Sequence, residues 1–344
     1  MAKLGFGIIG LGMALAPHAR SFQDLADRVT VRGAFSPSAD RRSASSARYG
    51  FAVADSVEAL LDDPAIQCIS VLTPPHTHLE LVRRCAAANK HILLEKPLEI
   101  DVARAREVVA TCARAGVVLG VCLQHRYRPS AVRLATLMRE GSLGAVANAS
   151  AVMRLWRPQS YYDAPGRGTW ARDGGGVLLT QGIHTLDLLL RFAGAPAEVT
   201  AYAVTTPVHR METEDCVAAA AHYASGAIGT IDATTAAYPG TPERIELVCR
   251  NASVSLVGTG LEVRWHDGRE ELLAAQSGLA GAGADPMDFP HDWHRALISD
   301  FCDAVEAGGA PQVGGPEALR VQSFIAAMLE SSARGGVPVV VQGA

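Results

Sequence analysis

The sequence predicts an α/β fold class: a Rossmann-type, doubly wound parallel sheet, followed by an α+β domain built on a large, open-faced, mostly antiparallel sheet. Three observations predict it. Over roughly the first 124 residues, short apolar runs alternate with helix-spaced segments, as βαβ units do. A glycine pair, Gly10 and Gly12, closes the first apolar run. From residue 197 onward strand follows strand with little room for helices, a pattern that makes an antiparallel or mixed sheet.

Residues 3–9 are compact and apolar, as a buried parallel strand should be. A helix is expected over 14–26, a second strand over 29–35, and a helix from Ser38 closed by Gly50. A short helix over 56–63 precedes the third strand, 66–72, which Pro74 and Pro75 stop. Residues 76–89 read as helix and 91–95 as the fourth strand. Asp101 then caps a helix whose Val102, Ala105, Val108, Val109 and Cys112 fall at helical spacing. Residues 117–123 are the fifth strand. Beyond it, 129–139 read as helix, 145–156 as strand and Gly174–Gly194 as one helix. A run of strands, a small-residue mobile loop at 277–286, and closing helices at 291–307 and 316–334 complete the chain. The expected domains are residues 1–124 for the dinucleotide and 125–344 for substrate and oligomerisation. The second sheet's uncovered face predicts a homodimer or homotetramer, because an apolar sheet face must be covered.

Composition excludes several classes. The net charge is -4, from 31 basic and 35 acidic residues, and no long basic tract offers a nucleic-acid surface. No apolar stretch reaches the length of a membrane span, and the start does not read as a signal peptide. Seven cysteines, an odd number without a CxxC, read as free thiols in a reducing cytoplasm.

Gly5-Phe6-Gly7-Ile8-Ile9-Gly10 is a literal GxGxxG, but Gly5 and Gly7 lie inside the strand. A phosphate-binding turn needs its glycines after the strand, ahead of a helix N-terminus. Gly10 and Gly12 stand there, with Met13 and Ala14 completing the turn; Leu15 departs from the small residue expected at the third position. The second strand ends at Ser36, where NAD binders place an acid. Ser38, Arg41 and Arg42 follow, and hydroxyl and guanidinium donors suit a 2′-phosphate, so NADP is favoured with NAD as the alternative. The competing reading is a capped helix with two solvated arginines.

The fourth strand ends in Glu95-Lys96-Pro97. Alone, Lys96 reads as a surface lysine. With the expected strand order 3-2-1-4-5-6, its strand neighbours the first, and an ammonium there is within reach of a nicotinamide. Like-charge repulsion and burial then lower its basicity toward a useful range, with Glu95 orienting it. Thr73 and Pro74, in the loop after strand three, line the ribose side, and His78 belongs to the same cofactor-facing segment. After strand five, Arg126 suits either a polar substrate or an inter-domain ion pair. His184 lies four residues beyond Thr180 and three before Asp187. It reads as a site residue or as a core histidine satisfied by Asp187. These residues do not form a metal-ligand set, and no metal is expected. Arg154, Tyr162, Arg167 and Trp170 supply donors and flat faces suited to a polyol or acid sugar.

Several segments together resemble the glucose–fructose oxidoreductase / inositol 2-dehydrogenase / MocA family: "GIIGLGMALAPHA", "TPPHTH", "KHILLEKPL", "RYRP", "GSLG", "GGGVLLTQGIHTLDLL" and the closing "DFCDAVEAGGAPQVGGPEALRV". The resemblance covers essentially the whole chain. It implies a Rossmann domain followed by an open-faced sheet domain, and an NAD(P)-dependent oxidoreductase of sugars, polyols, nucleotide sugars or cyclic dihydrodiols. By the same resemblance Lys96 is the proton donor or acceptor, Pro97 follows it, and His184 assists or binds the substrate hydroxyl. Thr180 stands where the family often has Asp, which implies a hydrogen-bonding role rather than a base. A non-catalytic NAD(P)-binding sensor on the same scaffold is the alternative function.

Overall fold

The computed structural model describes residues 3–275, 283, 285 and 289–343. The 277–286 stretch expected to be a loop lies outside them, apart from 283 and 285. The chain begins β1 (Leu4–Ile9), α1 (Leu15–Asp24), β2 (Val29–Phe35), α2 (Ala39–Tyr49), α3 (Val57–Leu61), β3 (Cys68–Val71), α4 (His78–Ala87), β4 (His91–Leu94), α5 (Val102–Ala115) and β5 (Leu119–Val121). It continues with α6 (Pro129–Arg139), β6 (Val146–Arg154), α7 (Gln159–Tyr162), α8 (Trp170–Asp173), α9 (Val177–Thr180) and α10 (Ile183–Ala193). Then come β7 (Pro196–Val204), β8 (Cys216–Tyr223), β9 (Ile228–Thr234), β10 (Arg244–Cys249), β11 (Ala252–Val257), β12 (Gly260–Trp265) and β13 (Glu270–Leu273). The chain closes with α11 (Asp292–Ala307), α12 (Gly315–Ala333) and β14 (Val339–Val340). Among the described residues no helix is long and apolar enough to cross a membrane.

Two compact units result. One holds the residues up to Gln124 together with Pro290–Leu319; the other holds His125–Phe289 and the residues from Arg320 onward. The sequence places a boundary at 124/125 but assigns 290–319 to the second domain. Those residues instead pack in the first, because α11 turns Trp293, Leu297, Ile298 and Phe301 inward. Phe301 meets Phe6 of β1 edge-on at 6.1 Å, and Arg28 pairs with Asp303 and Glu306.

In the first unit the sheet order is β2-β1-β3-β4-β5, all parallel. Both faces are covered, so the strands are continuous apolar runs: Phe6, Ile8, Ile69, Ile92, Leu93 and Leu94 are fully buried. Gly5 and Gly7 serve packing. A Cβ on Gly5 would lie 1.8 Å from the Ala65 carbonyl oxygen, and one on Gly7 would lie 2.8 Å from Ile69. One topological expectation is corrected. β4 is not β1's neighbour, because β3 lies between them. Ala34 and Val53 form an isolated parallel bridge outside β2, a residual third strand too short to read from the sequence. The strand that ends at Leu94 is thus one position further from β1.

In the second unit nine strands run β13-β12-β11-β10-β6-β9-β8-β7-β14, and only β6–β9 pair in parallel. α10 packs on β6. Ala149, Ala151, Met153, Ile231 and Leu247 are buried on the covered face. Cross-strand register places Tyr202, Val204, Ile228, Val248, Leu272 and Val340 on the opposite face, and all six are exposed. The single helix expected over Gly174–Gly194 is two, broken at Gln181–Gly182. The Gly182 amide reaches back to the Val177 carbonyl at 2.7 Å, and a Cβ there would sit 3.0 Å from Met153 Sδ. Helical periodicity carries straight through this point; the close approach to β6 breaks it.

Candidate active site

At the C-terminal edge of the first sheet, Gly10 has φ of 105° and its amide donates to Phe35 O at 2.9 Å. A Cβ there would lie 2.7 Å from the Leu72 backbone, so only glycine fits this turn. Helix α1 begins after Met13 and Ala14 with no side-chain cap and no acid in its first turn. Its opening amides and dipole suit an anion. Ser36 is buried at the end of β2. Ser38 caps α2, its Oγ accepting from the Arg41 amide at 3.3 Å. The Arg42 guanidinium folds back onto the Ser36 carbonyl at 2.6 Å. Arg41 makes no ion pair among the described residues, and its Nη1 lies 4.0 Å from where a Gly12 Cβ would be. The excluded Cβ at Gly10 and an uncapped helix start fit a dinucleotide pyrophosphate.

Lys96 follows β4, partly exposed, and its peptide with the buried Pro97 is cis. Beneath it, Glu95 Oε2 accepts the Lys96 amide at 3.1 Å and Oε1 faces His18 Nε2 at 2.8 Å. Burial pushes the Glu95 carboxyl up, but the His18 hydrogen bond, with His18 and Lys96 nearby, outweighs it and holds the group at about 2. An ionised carboxylate only accepts, so His18 Nε2 carries the proton. The buried His18 Nδ1 has no hydrogen-bond partner. His294 of α11 meets His18 edge-on at 4.9 Å, and burial drives it down to about 3, so it is neutral. Cys122 Sγ is 3.9 Å from His18 Nε2. His18, Glu95 and His294 are the one grouping with metal-ligand spacing among the described residues. Glu95 is already engaged by His18 and by the Lys96 amide.

Thr73 accepts from the Thr77 hydroxyl at 2.7 Å, beside Pro74. The expectation that His78 faces the cofactor is corrected. Its ring is fully buried, with Nε2 on Thr73 O at 2.9 Å and Nδ1 on Pro97 O at 3.0 Å. It ties the strand-three loop to the segment after Lys96. Sequence position places it correctly in this loop, but packing turns the ring inward.

In the second unit a small cleft is lined by Tyr161, Tyr162, Arg167, Thr180 and Met211. The Arg167 guanidinium lies over the Tyr161 ring at 4.2 Å and bonds its hydroxyl. Tyr162 is buried, its hydroxyl 2.7 Å from Thr235 Oγ1. The Thr180 hydroxyl lies 2.7 Å from Gly176 O. Trp170 is half exposed at the start of α8. Arg154 does not join this group: it pairs with Asp232 on the sheet's open face. Arg126 is buried and engages Asp187 at two points, Nε–Oδ2 2.7 Å and Nη2–Oδ1 2.6 Å. Arg126 is thus a partner of Asp187 within one unit. His184, 7% exposed, stacks on His125 with centroids 4.4 Å apart.

Sequence reasoning missed His18, His294, His125 and Glu214. Buried Glu214 accepts from the Gly176 amide at 2.8 Å and the Leu178 amide at 3.2 Å, so it caps α9 across the chain. Burial raises its carboxyl to about 7. For His18 a signal existed: it lies on the first helix after the glycine turn and at the spacing of that helix's buried face. His294 and Glu214 meet their partners only through tertiary packing.

A parallel doubly wound sheet with an open glycine turn, joined to a large antiparallel sheet, defines a Rossmann-type oxidoreductase. The chain belongs to the GFO/IDH/MocA family. The family model described as an oxidoreductase family with an NAD-binding Rossmann fold matches residues 4–123, and the GFO/IDH/MocA C-terminal domain matches 131–255. Relatives include 1,5-anhydro-D-fructose reductase of Ensifer adhaerens, 28% identical over 90% of both chains. D-xylose 1-dehydrogenase (NADP(+)) 2 of Haloferax volcanii is 28% identical over 81% of this chain and 82% of its own. The WlbA dehydrogenase of Bordetella pertussis, solved with NADH and UDP-GlcNAcA, superposes with a TM-score of 0.84 at 24% identity, covering 98% of this chain and 99% of that one.

Proposed function

We propose that this oxidoreductase transfers a hydride between a nicotinamide and a secondary alcohol or ketone carbon of a sugar, polyol, nucleotide sugar or cyclic dihydrodiol. The observation that carries this reading is Lys96 at the same sheet edge as the Gly10 turn, its amide held by an ionised, mostly buried Glu95. The relatives named above act on carbohydrates or bear carbohydrate names, which supports the substrate class.

Gly10, Gly12, Met13 and Ala14 would hold the pyrophosphate against α1, while Thr73 and Pro74 flank the ribose. When bound, the nicotinamide supplies the hydride acceptor or donor. Lys96 Nζ takes the hydroxyl proton in oxidation and returns it in reduction. The Glu95 anion accepts the Lys96 amide and keeps the lysine oriented. His184 hydrogen-bonds the reacting hydroxyl. Tyr162, Arg167, Trp170 and Thr180 contact the rest of the substrate, fixing the carbinol carbon for transfer.

Ser36, Ser38 and Arg41 favour NADP over NAD. The exposed apolar residues on the second sheet support a homodimer or homotetramer through that face. The free cysteines, six of them buried, suit a cytoplasmic setting.

The test is turnover across sugars, polyols, nucleotide sugars and dihydrodiols with NADP and NAD, beside a fluorescence titration of NADPH. Oxidation of one class with loss in Lys96→Met is expected. Tight NADPH binding with no turnover on any class would instead favour a sensor.

A further inference from the structure

His125 lies in the short turn after Gln124, buried, with its ring nearly parallel to that of His184 at 29° and 4.4 Å. Arg128 Nη2 is 2.6 Å from His125 Nε2. Arg128 is itself 2% exposed, and its Nη1 is held by Gly258 O at 3.1 Å and Glu243 at 3.4 Å. A guanidinium has donors only. His125 Nε2 must therefore present a lone pair, and its proton resides on Nδ1. Protonating Nε2 would set an imidazolium against a guanidinium at hydrogen-bond distance.

We propose that His125 is a positioning residue for His184: held by Arg128 as the neutral Nδ1–H tautomer, its ring stacks on His184, fixes that ring's plane, and leaves His184 as the one member of the pair able to take a proton. This deepens the reading in which His184 meets the substrate hydroxyl, and rests on it.

The surrounding charges are consistent with this assignment. On α10, Asp187 is paired with Arg126, and Arg191 lies further along the helix. The turn adds Tyr127. α6 carries Arg133, paired with Glu271, and Arg139. β6 carries Arg154, paired with Asp232, and β10 carries Arg244, paired with Glu246, and Cys249. α9 has no titratable side chain. Arg128 is bonded directly to the stacked pair, through His125 Nε2.

The experiment is nitrogen-15 NMR of histidine-labelled full-length protein from about pH 5 to about pH 9, where free imidazoles titrate. His125→Asn and His184→Asn assign the two rings. Expected for the native chain is an Nδ1–H, non-titrating His125 and a single protonation step at His184. His125→Phe keeps a flat ring and should keep the ring-current shift of His184; His125→Ala should lose it and mix the His184 tautomers. A titrating His125, or a His184 signal unchanged in His125→Ala, would overturn the proposal. Loss of folding in His125→Ala would not hide the answer, because the native tautomer is read without any variant of the fold. If His184→Asn left turnover intact, the catalytic reading would fall while the stack stayed readable by NMR.

Discussion

His18 donates its Nε2 proton to Glu95 across 2.8 Å, so helix α1 and the end of β4 meet at one mostly buried carboxylate directly before Lys96. His294 closes the other side of the His18 ring. The helix that follows the glycine turn and the segment that carries Lys96 therefore meet at one charge.

That cluster sets the acid side of stability. The His294 value in the fold, about 3, lies below the ordinary 6.5. Its contribution is present above about pH 6.5 and is lost as pH falls from there toward 3, because the unfolded chain takes the proton first. Glu95, at about 2 against 4.5, loses its contribution from about pH 4.5 downward. Each unit is worth about 1.4 kcal/mol, so Glu95 alone accounts for ~3 kcal/mol. Thermal midpoints measured against pH should fall in both windows. In His294→Phe the upper window should flatten, and an unchanged slope there would exclude His294 as its source.

Gly10→Ala should be the most damaging change in the turn. It forces a side chain to a φ of 105° and onto the Leu72 backbone at 2.7 Å. A loss of at least ~2 kcal/mol is expected, together with loss of NADPH binding. Gly12→Ala, whose Cβ meets only Arg41 at 4.0 Å, should fold normally. Calorimetry and fluorescence titration of the two variants separate packing from binding.

Arg41→Ala should weaken NADPH by about 10- to 100-fold, the worth of a charge-assisted hydrogen bond, and leave NADH within about 2-fold. Arg42→Ala should do less, since Arg42 serves the Ser36 carbonyl. Equal losses for the two cofactors in Arg41→Ala would count against a 2′-phosphate site.

Lys96→Met should lower kcat by about 10²- to 10⁴-fold, the range for a general acid or base, with NADPH affinity nearly unchanged. Retained turnover would remove the lysine from the chemistry.

Asp187→Ala leaves the Arg126 guanidinium buried without its two-point partner. Removing one half of such a pair costs about 3–5 kcal/mol, and the double variant with Arg126→Met should recover part of it. Urea midpoints test this directly; additive losses would mean that the two residues do not act as a unit.

Much of the fold was legible because its signals are local. Gly10 and Gly12 follow the apolar run that must be a strand, and the periodicity of α5, with Asp101 as its cap, falls where the structure has it. Gly5 and Gly7 were separable from the ligand turn because a phosphate cannot approach the middle of a strand. The site was legible as a set of segments, not as contacts. Nothing in the order of residues says that His78 turns inward, that Gly182 breaks a helix against Met153, or that Val53 supplies a vestigial strand between expected positions.

The sequence by itself determined the alternation of strands and helices, the glycine turn, the lysine at the end of β4 and the histidine on α10, because periodicity, turn chemistry and end signals act over a few residues. Tertiary structure alone decided the partners. Glu95 is ionised because His18 arrives from α1, Asp187 pairs with Arg126, and His125 is placed to stack on His184. The physical reason is that burial and charge depend on distance in space, and groups 77 and 61 residues apart along the chain become neighbours only when the sheets close.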